Sequence, residues 1–277
     1  MSNSSKGKDR PIKALIVVLA VSMACSILVS TASITLKPIQ LLNQKVERSR
    51  NIVNLTGLVP VNKKLSNDKI LEVVEQLDAR VINVETGEFE SGIDPENFDA
   101  RVAVNDPELS VAIPATDDLA RLGWRSRFAV VYFVWQDNEL KRIILPIQGQ
   151  GMWSTLRGYL ALESDLNTIA TVTFYEQAET AGLGDQITSP DWQARWQGRQ
   201  LFNNQGEVSF RVATGSVAEG SAAARHQVDA MSGATVTGDA VTRLVKYWFG
   251  PNGYRTFLVS LQSQPPIPQV NKENSQT

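Results

Sequence analysis

From Arg127 to Ile147 the sequence reads RFAVVYFVWQDNELKRIILPI. Two runs rich in β-branched and aromatic residues, Arg127 to Trp135 and Glu139 to Ile147, flank a polar Gln136-Asp137-Asn138. That composition and spacing predict two antiparallel strands joined by a tight turn. The pattern recurs downstream, where Gly158 to Leu162 and Thr168 to Tyr175 lie on either side of Asp165-Leu166-Asn167. Upstream, Ser66 followed by Ile70, Leu71, Val74 and Leu77 reads as an N-capped amphipathic helix, and Arg80 to Val84 as a short strand after it. Between Asn83 and Asp118 the chain is acidic and broken by Gly87, Gly92, Pro95, Pro107 and Pro114, which predicts a surface excursion. Several antiparallel strands with a few helices define the expected class: α+β, an antiparallel sheet with packed helices.

Composition bounds the rest. The chain has 277 residues, 43% hydrophobic and 20% charged, enough for a sizeable core in one or two domains. Its net charge of -2 hides a split: residues 1–13 and 37–50 each carry a net +3, which leaves -8 on the remainder. An acidic globule behind a basic, apolar head excludes a nucleic-acid binder that works through a broad cationic face. The single cysteine, Cys25, excludes an internal disulfide and any multi-cysteine zinc or iron-sulfur site; with one histidine, His226, a protein metal centre would have to be mostly carboxylate, and none is expected.

Ala14 to Leu36 contains no charge over 23 residues. As a helix it covers roughly 34 Å, enough for a bilayer core of about 30 Å, so one transmembrane helix is expected at 14–36 after a short segment at 1–13. A cleaved signal peptide is the competing reading, with small residues at Ser30-Thr31-Ala32, but the apolar stretch exceeds the usual signal core of about 7–15 residues. Lipid attachment at Cys25 fits less well, because Ser22-Met23-Ala24 lacks the usual leucine. Lys6, Lys8, Arg10 and Lys13 on one flank balance Lys37, Lys45, Arg48 and Arg50 on the other, so the charge bias decides no orientation. The last segment, 263–277, carries Pro265, Pro266 and Pro268 among polar residues and is expected to be disordered; the globular domain is then 37–262.

The residues that point to chemistry are Asp229-Ala230-Met231-Ser232-Gly233-Ala234-Thr235-Val236-Thr237. They open onto a helical pattern with Val241, Leu244, Val245 and Trp248 on one face and a stop at Gly250-Pro251. A Ser/Gly/Thr turn at a helix start offers unpaired N–H groups and the positive end of the dipole, a good seat for a phosphate. The simpler alternative is that Thr235 or Thr237 is only an N-cap and the glycine only relieves a turn. His226, Asp229 and Ser232 have the residue types of a hydrolase triad, yet they crowd into one short segment, whereas a triad converges from separate elements. His226 is instead expected to be an exposed loop residue. Trp135, Trp192, Trp196 and Trp248 are read as core or partner-facing aromatics. No Gly-x-Gly-x-x-Gly dinucleotide fingerprint is present in the sequence.

Asp229-x-x-Ser232-Gly233-Ala234-Thr235 resembles the flavinylation motif of proteins that carry FMN as a phosphoester on the final threonine, attached by a flavin transferase that uses FAD. The wider chain resembles the FMN-binding-domain family represented by the C subunit of the sodium-translocating NADH:quinone oxidoreductase. Gly149 to Ser154, Tyr175 to Gly184 and Asp239 to Phe257 carry that likeness, with Ala181 standing where the family commonly has proline. The resemblance implies covalent FMN on Thr235, with Ser232, Gly233 and Ala234 shaping the approach of the donor phosphate and Asp229 read by the transferase. It also implies that the loop with Glu179, Thr180, Gly182 and Leu183 borders the flavin ring, onto which Trp153 could stack; the alternative for Trp153 is a core position beside the hairpin. Further implications are a single-pass bacterial inner-membrane protein with a periplasmic domain, and an electron relay in a complex of six subunits that oxidises NADH, reduces ubiquinone and pumps sodium. The flavoprotein of a ferredoxin-linked Rnf-type complex and a membrane-tethered flavin sensor are the alternatives.

Overall fold

The structure, a computed structural model, describes residues 9–59 and 65–269. The chain divides into two compact units, Met1–Arg48 and Ser49–Thr277. The first consists of most of α1 (Asp9–Thr56). Within it Ile12–Gln40, 29 residues with a mean hydropathy of 2.6, is long and apolar enough to cross a membrane and contains the expected 14–36 span. Apolar side chains such as Leu28 and Ile34 are exposed all along this stretch. Lys6 and Lys8 of the basic flank lie outside the described residues.

In the second unit α2 (Asn67–Glu75) starts at Ser66, whose Oγ accepts from Lys69 N–H at 3.4 Å, and leads into β1 (Asp78–Asn83). The excursion after β1 holds α3 (Ala100–Ala103), capped by Asp99, and β2 (Ser110–Ala112), which pairs with β3 (Trp124–Ser126). Strands of three residues are too short for an alternation to register in the sequence. Then comes a continuous antiparallel meander: β4 (Phe128–Gln136), β5 (Glu139–Gln150), β6 (Thr155–Glu163) and β7 (Ile169–Glu176). With β1 it forms one five-stranded sheet in the order β1-β4-β5-β6-β7.

Both expected hairpins are present. Asp137 and Asn138, at φ 52° and 63°, form the two-residue turn between β4 and β5, the left-handed pair whose twist matches that of the strands. Between β6 and β7, Asp165 accepts from Asn167 N–H, Thr168 N–H and Thr168 Oγ, which holds Leu166 at φ 57°.

Past β7 the chain passes through a 3-10 turn at Gly184–Thr188 and α4 (Pro190–Ala194) into irregular backbone. This is stitched by a two-residue parallel ladder of β8 (Arg211–Val212) and β9 (Gln227–Val228). Two helices, α5 (Thr235–Trp248) and α6 (Arg255–Ser263), complete the unit.

The run Ile143-Ile144-Leu145 lacks alternation because both sheet faces are covered. Ile143, Leu145 and Ile147 join Val241, Leu244 and Val245 of α5 and Phe257 and Leu261 of α6 in the main core. Ile144, Tyr159 and Ala161 face the other way, with Ile52 and Leu55 from the last turns of α1. Gly149 on β5 sets the spacing of α5, since a Cβ there would lie 3.1 Å from Leu244 Cβ.

The C-terminal tail differs from expectation in its first part. Ser263 ends α6, and beyond it Ile267 and Gln269 reach β1, where Arg80 Nη2 donates to Ile267 O and Gln269 N–H donates to Asp78 Oδ2. Buried Asp78 also takes Trp135 Nε1 and both sides of the Arg80 guanidinium, which spreads over Phe89 and Phe133. These fixed partners order a segment that composition alone marks as free. Residues 270–277 lie outside the described residues.

Candidate flavin site

Three segments far apart in sequence meet at the start of α5: the turn between β5 and β6, the loop after β7, and Asp229 to Thr237. Buried Glu179 joins them. Its side chain turns inward and accepts from Met152 N–H at 3.1 Å, Trp153 N–H at 3.0 Å, Ser154 N–H at 3.4 Å and Thr237 Oγ at 2.6 Å. Burial pushes its pKa up, but the hydrogen bonds from Thr237, Trp153, Met152 and Ser154 outweigh this and hold it below the ordinary 4.5. The carboxylate is therefore ionised at neutral pH. Two glycines leave room for it. A Cβ on Gly151 would lie 2.6 Å from Glu179 Oε1, and one on Gly184 would lie 2.6 Å from Thr237 Oγ.

This arrangement separates the two threonines of the motif. Thr237 is 2% exposed and its hydroxyl is committed to Glu179. Thr235 is exposed at the first position of α5. Neither is the N-cap. That position belongs to Ala234, which has no side-chain acceptor to offer the first-turn N–H groups. Gly233, at φ 72°, and Ser232 are exposed in the turn before it. A Cβ on Gly233 would come 2.8 Å from Leu183 Cδ2, so the tip of the post-β7 loop sits directly beside the motif.

Trp153 is not a core residue: it is 65% exposed, and its Nε1 donates to Thr180 Oγ at 3.1 Å. Met152, Leu183 and Val236 are exposed large apolar residues of the same three segments. Gly182, at φ 75°, turns the loop, and its carbonyl accepts from Gln186 Nε2.

Asp229 stands at the far end of the motif. Its carboxylate pairs with Arg195 and accepts from Val217 N–H at 2.6 Å, and its carbonyl accepts from Trp192 Nε1 at 3.1 Å. His226 is half-buried rather than exposed, with Nδ1 at 2.9 Å from Gln200 O. No hydrogen bond among the described residues links His226, Asp229 and Ser232 as a triad. No cluster of potential metal ligands occurs among the described residues either.

The inward carboxylate of Glu179, the clearance at Gly151 and Gly184, and Arg195 behind Asp229 have no counterpart in the sequence pattern. Gly151 and Gly184 belong to the stretches Gly149 to Ser154 and Tyr175 to Gly184, and only their spatial relation to Glu179 shows what their lack of a Cβ permits.

The FMN-binding domain family matches residues 151–250, from the glycine under Glu179 to just past α5. The C subunit of the Na(+)-translocating NADH-quinone reductase of Pseudomonas aeruginosa is 39% identical over 250 residues, covering 90% of this chain and 95% of that protein. The chain belongs to the NqrC family, the C subunits of this reductase. The NqrC of Neisseria meningitidis serogroup B is 38% identical over 257 residues, covering 92% and 96% of the two chains. The crystal structure of Shewanella oneidensis NqrC superposes with a TM-score of 0.71 at 36% identity, covering 78% of this chain and 97% of that one. The Parabacteroides distasonis counterpart superposes with a TM-score of 0.60 at 26% identity, covering 80% of this chain and 96% of that one.

As a member of the NqrC family, the chain is one component of an oxidoreductase complex with other subunits, and it contains an FMN-binding domain. The exposed hydroxyl of Thr235, the uncapped start of α5 and the apolar Trp153 and Leu183 beside it suit the two halves of such a ligand, phosphate and ring.

Proposed function

We propose that the chain carries FMN as a phosphoester on Thr235 and relays electrons in a complex that oxidises NADH, reduces ubiquinone and pumps sodium. The observation that supports this reading is the division of labour between the two threonines: Thr237 is buried on Glu179 and Thr235 presents its hydroxyl at an uncapped helix start. Attachment from FAD forms a bond between Thr235 Oγ and phosphorus, breaks the pyrophosphate P–O bond, and releases AMP and the hydroxyl proton. The N–H groups and dipole of α5 favour the phosphate there. Gly233 keeps the approach free of a side chain, and Leu183 and Trp153 would border the ring. Asp229, whose side chain is 27% exposed, remains within reach of a flavin transferase. Bound FMN supplies the capacity to pass electrons on, and the covalent tether keeps it from leaving during turnover. The partners are the other members of an assembly of six subunits in a bacterial inner membrane, with the domain on the periplasmic side.

The test is intact mass of the chain expressed with and without a flavin transferase. A flavin adduct should form only with the transferase and should vanish in Thr235→Ala. An adduct retained in that variant assigns the attachment elsewhere.

A further inference from the structure

Resting on the reading of Thr235 as the attachment point, we propose that Glu179 is the positioning residue of the acceptor: its buried carboxylate holds the first turn of α5 against the loop that carries Trp153.

Glu179 is separated from its backbone donors by 25–27 residues and from Thr237 by 58, so no local structure fixes these distances. The successive N–H groups of Met152, Trp153 and Ser154 converge on one carboxylate, as in an anion-binding nest, and the anion is supplied by the protein itself. The Thr237 hydroxyl is a fourth donor to the same group. An acceptor-only side chain satisfies all four, whereas a carboxamide would turn its NH2 toward two of them, since each carboxylate oxygen accepts from two donors.

Thr237 lies two residues beyond Thr235 in the same turn, about 3 Å along the helix axis, so anchoring one hydroxyl sets the place of the other. Thr180, next to Glu179, adds a second tie through Trp153 Nε1. The consequence is that Thr235, Trp153 and Leu183 are held in one arrangement, although Trp153 and Leu183 lie on separate loops and Thr235 opens α5.

The experiment uses the full-length chain with a flavin transferase and FAD. It measures the rate of covalent flavin acquisition per folded molecule, well below the thermal transition, and the midpoint potential of the attached flavin. Glu179→Gln and Thr237→Val should each slow acquisition by about tenfold or more, the effect of losing one hydrogen bond to a charged group. Both should shift the potential, and Thr237→Ser should restore rate and potential. A purely structural role would lower the melting temperature and leave the rate per folded molecule unchanged. That unchanged rate, with an unchanged potential, overturns the proposal.

If Glu179→Gln does not fold, Thr237→Val decides: wild-type behaviour overturns the proposal, and slowed attachment rescued by serine supports it. Wild-type chain that takes up flavin alongside equally fast variants removes the positioning role alone. Wild-type chain that takes up none removes the reading of Thr235, and this proposal falls with it.

Discussion

At Glu179 a single carboxylate accepts from four donors, so its charge is worth more in the folded chain than in the unfolded one. The sign of the pH dependence follows from its lowered pKa. A carboxylate whose folded pKa is depressed contributes its full stability above its unfolded value, and loses it as pH falls through the folded value. The stability gap between wild type and Glu179→Gln, measured by urea unfolding, should therefore hold from neutral pH down to about pH 5 and shrink below it. A gap that instead opens in acid would mean that the neutral acid is the form bound in the fold. The motif's two threonines illustrate what residue identity leaves open. Both are helix-start hydroxyls in sequence, and the family resemblance alone favours Thr235; burial of Thr237 against Glu179 gives the physical ground for the distinction.

Among elements, the β4–β5 hairpin is legible in the sequence because composition and turn chemistry agree. Its turn places Asp137 and Asn138 both at positive φ, which Asn and Asp tolerate and β-branched residues do not. Asn138→Val should cost about 1–2 kcal/mol, read as a lower urea midpoint with unchanged slope. A neutral outcome would show that the turn can relax without disturbing the register of β4 and β5. The ladder of β8 and β9 and the pair of β2 and β3 are not legible. Runs of two or three residues carry no period, and such strands exist because the rest of the fold brings them together. The tail shows the same limit. Proline and polar residues argue for a free end, but Ile267 and Gln269 find partners on Arg80 and Asp78, which are distant in sequence.

The whole molecule combines an acidic α+β domain with a helix whose Ile12–Gln40 stretch can cross a membrane. Flanking charges are balanced and decide no orientation; the proposed attachment of flavin outside the cytoplasm would place the domain there. The full chain should resist extraction from membranes by alkaline carbonate. In spheroplasts, added protease should digest the domain beyond residue 50. Protection until lysis would put the domain in the cytoplasm and remove that route to flavinylation. The family assignment gives the chain its complex, and Met152, Trp153, Leu183 and Val236 are exposed large apolar residues of the segments that meet at the start of α5.

The apolar stretch long enough for a span, the hairpins and the run Asp229 to Thr237 at a helix start are legible in the sequence, because each is written in consecutive residues: uncharged length, strand composition around a turn, and a helix start with hydroxyls. That Trp153 faces outward, that Glu179 faces inward, and that Thr237 is buried while Thr235 is exposed emerge from the folding of distant segments together. Those facts depend on donors and acceptors separated by 25 to 58 residues. No local pattern encodes such a meeting; it is set when the sheet brings the β5–β6 turn, the post-β7 loop and α5 together, and buried polar groups must then find one another.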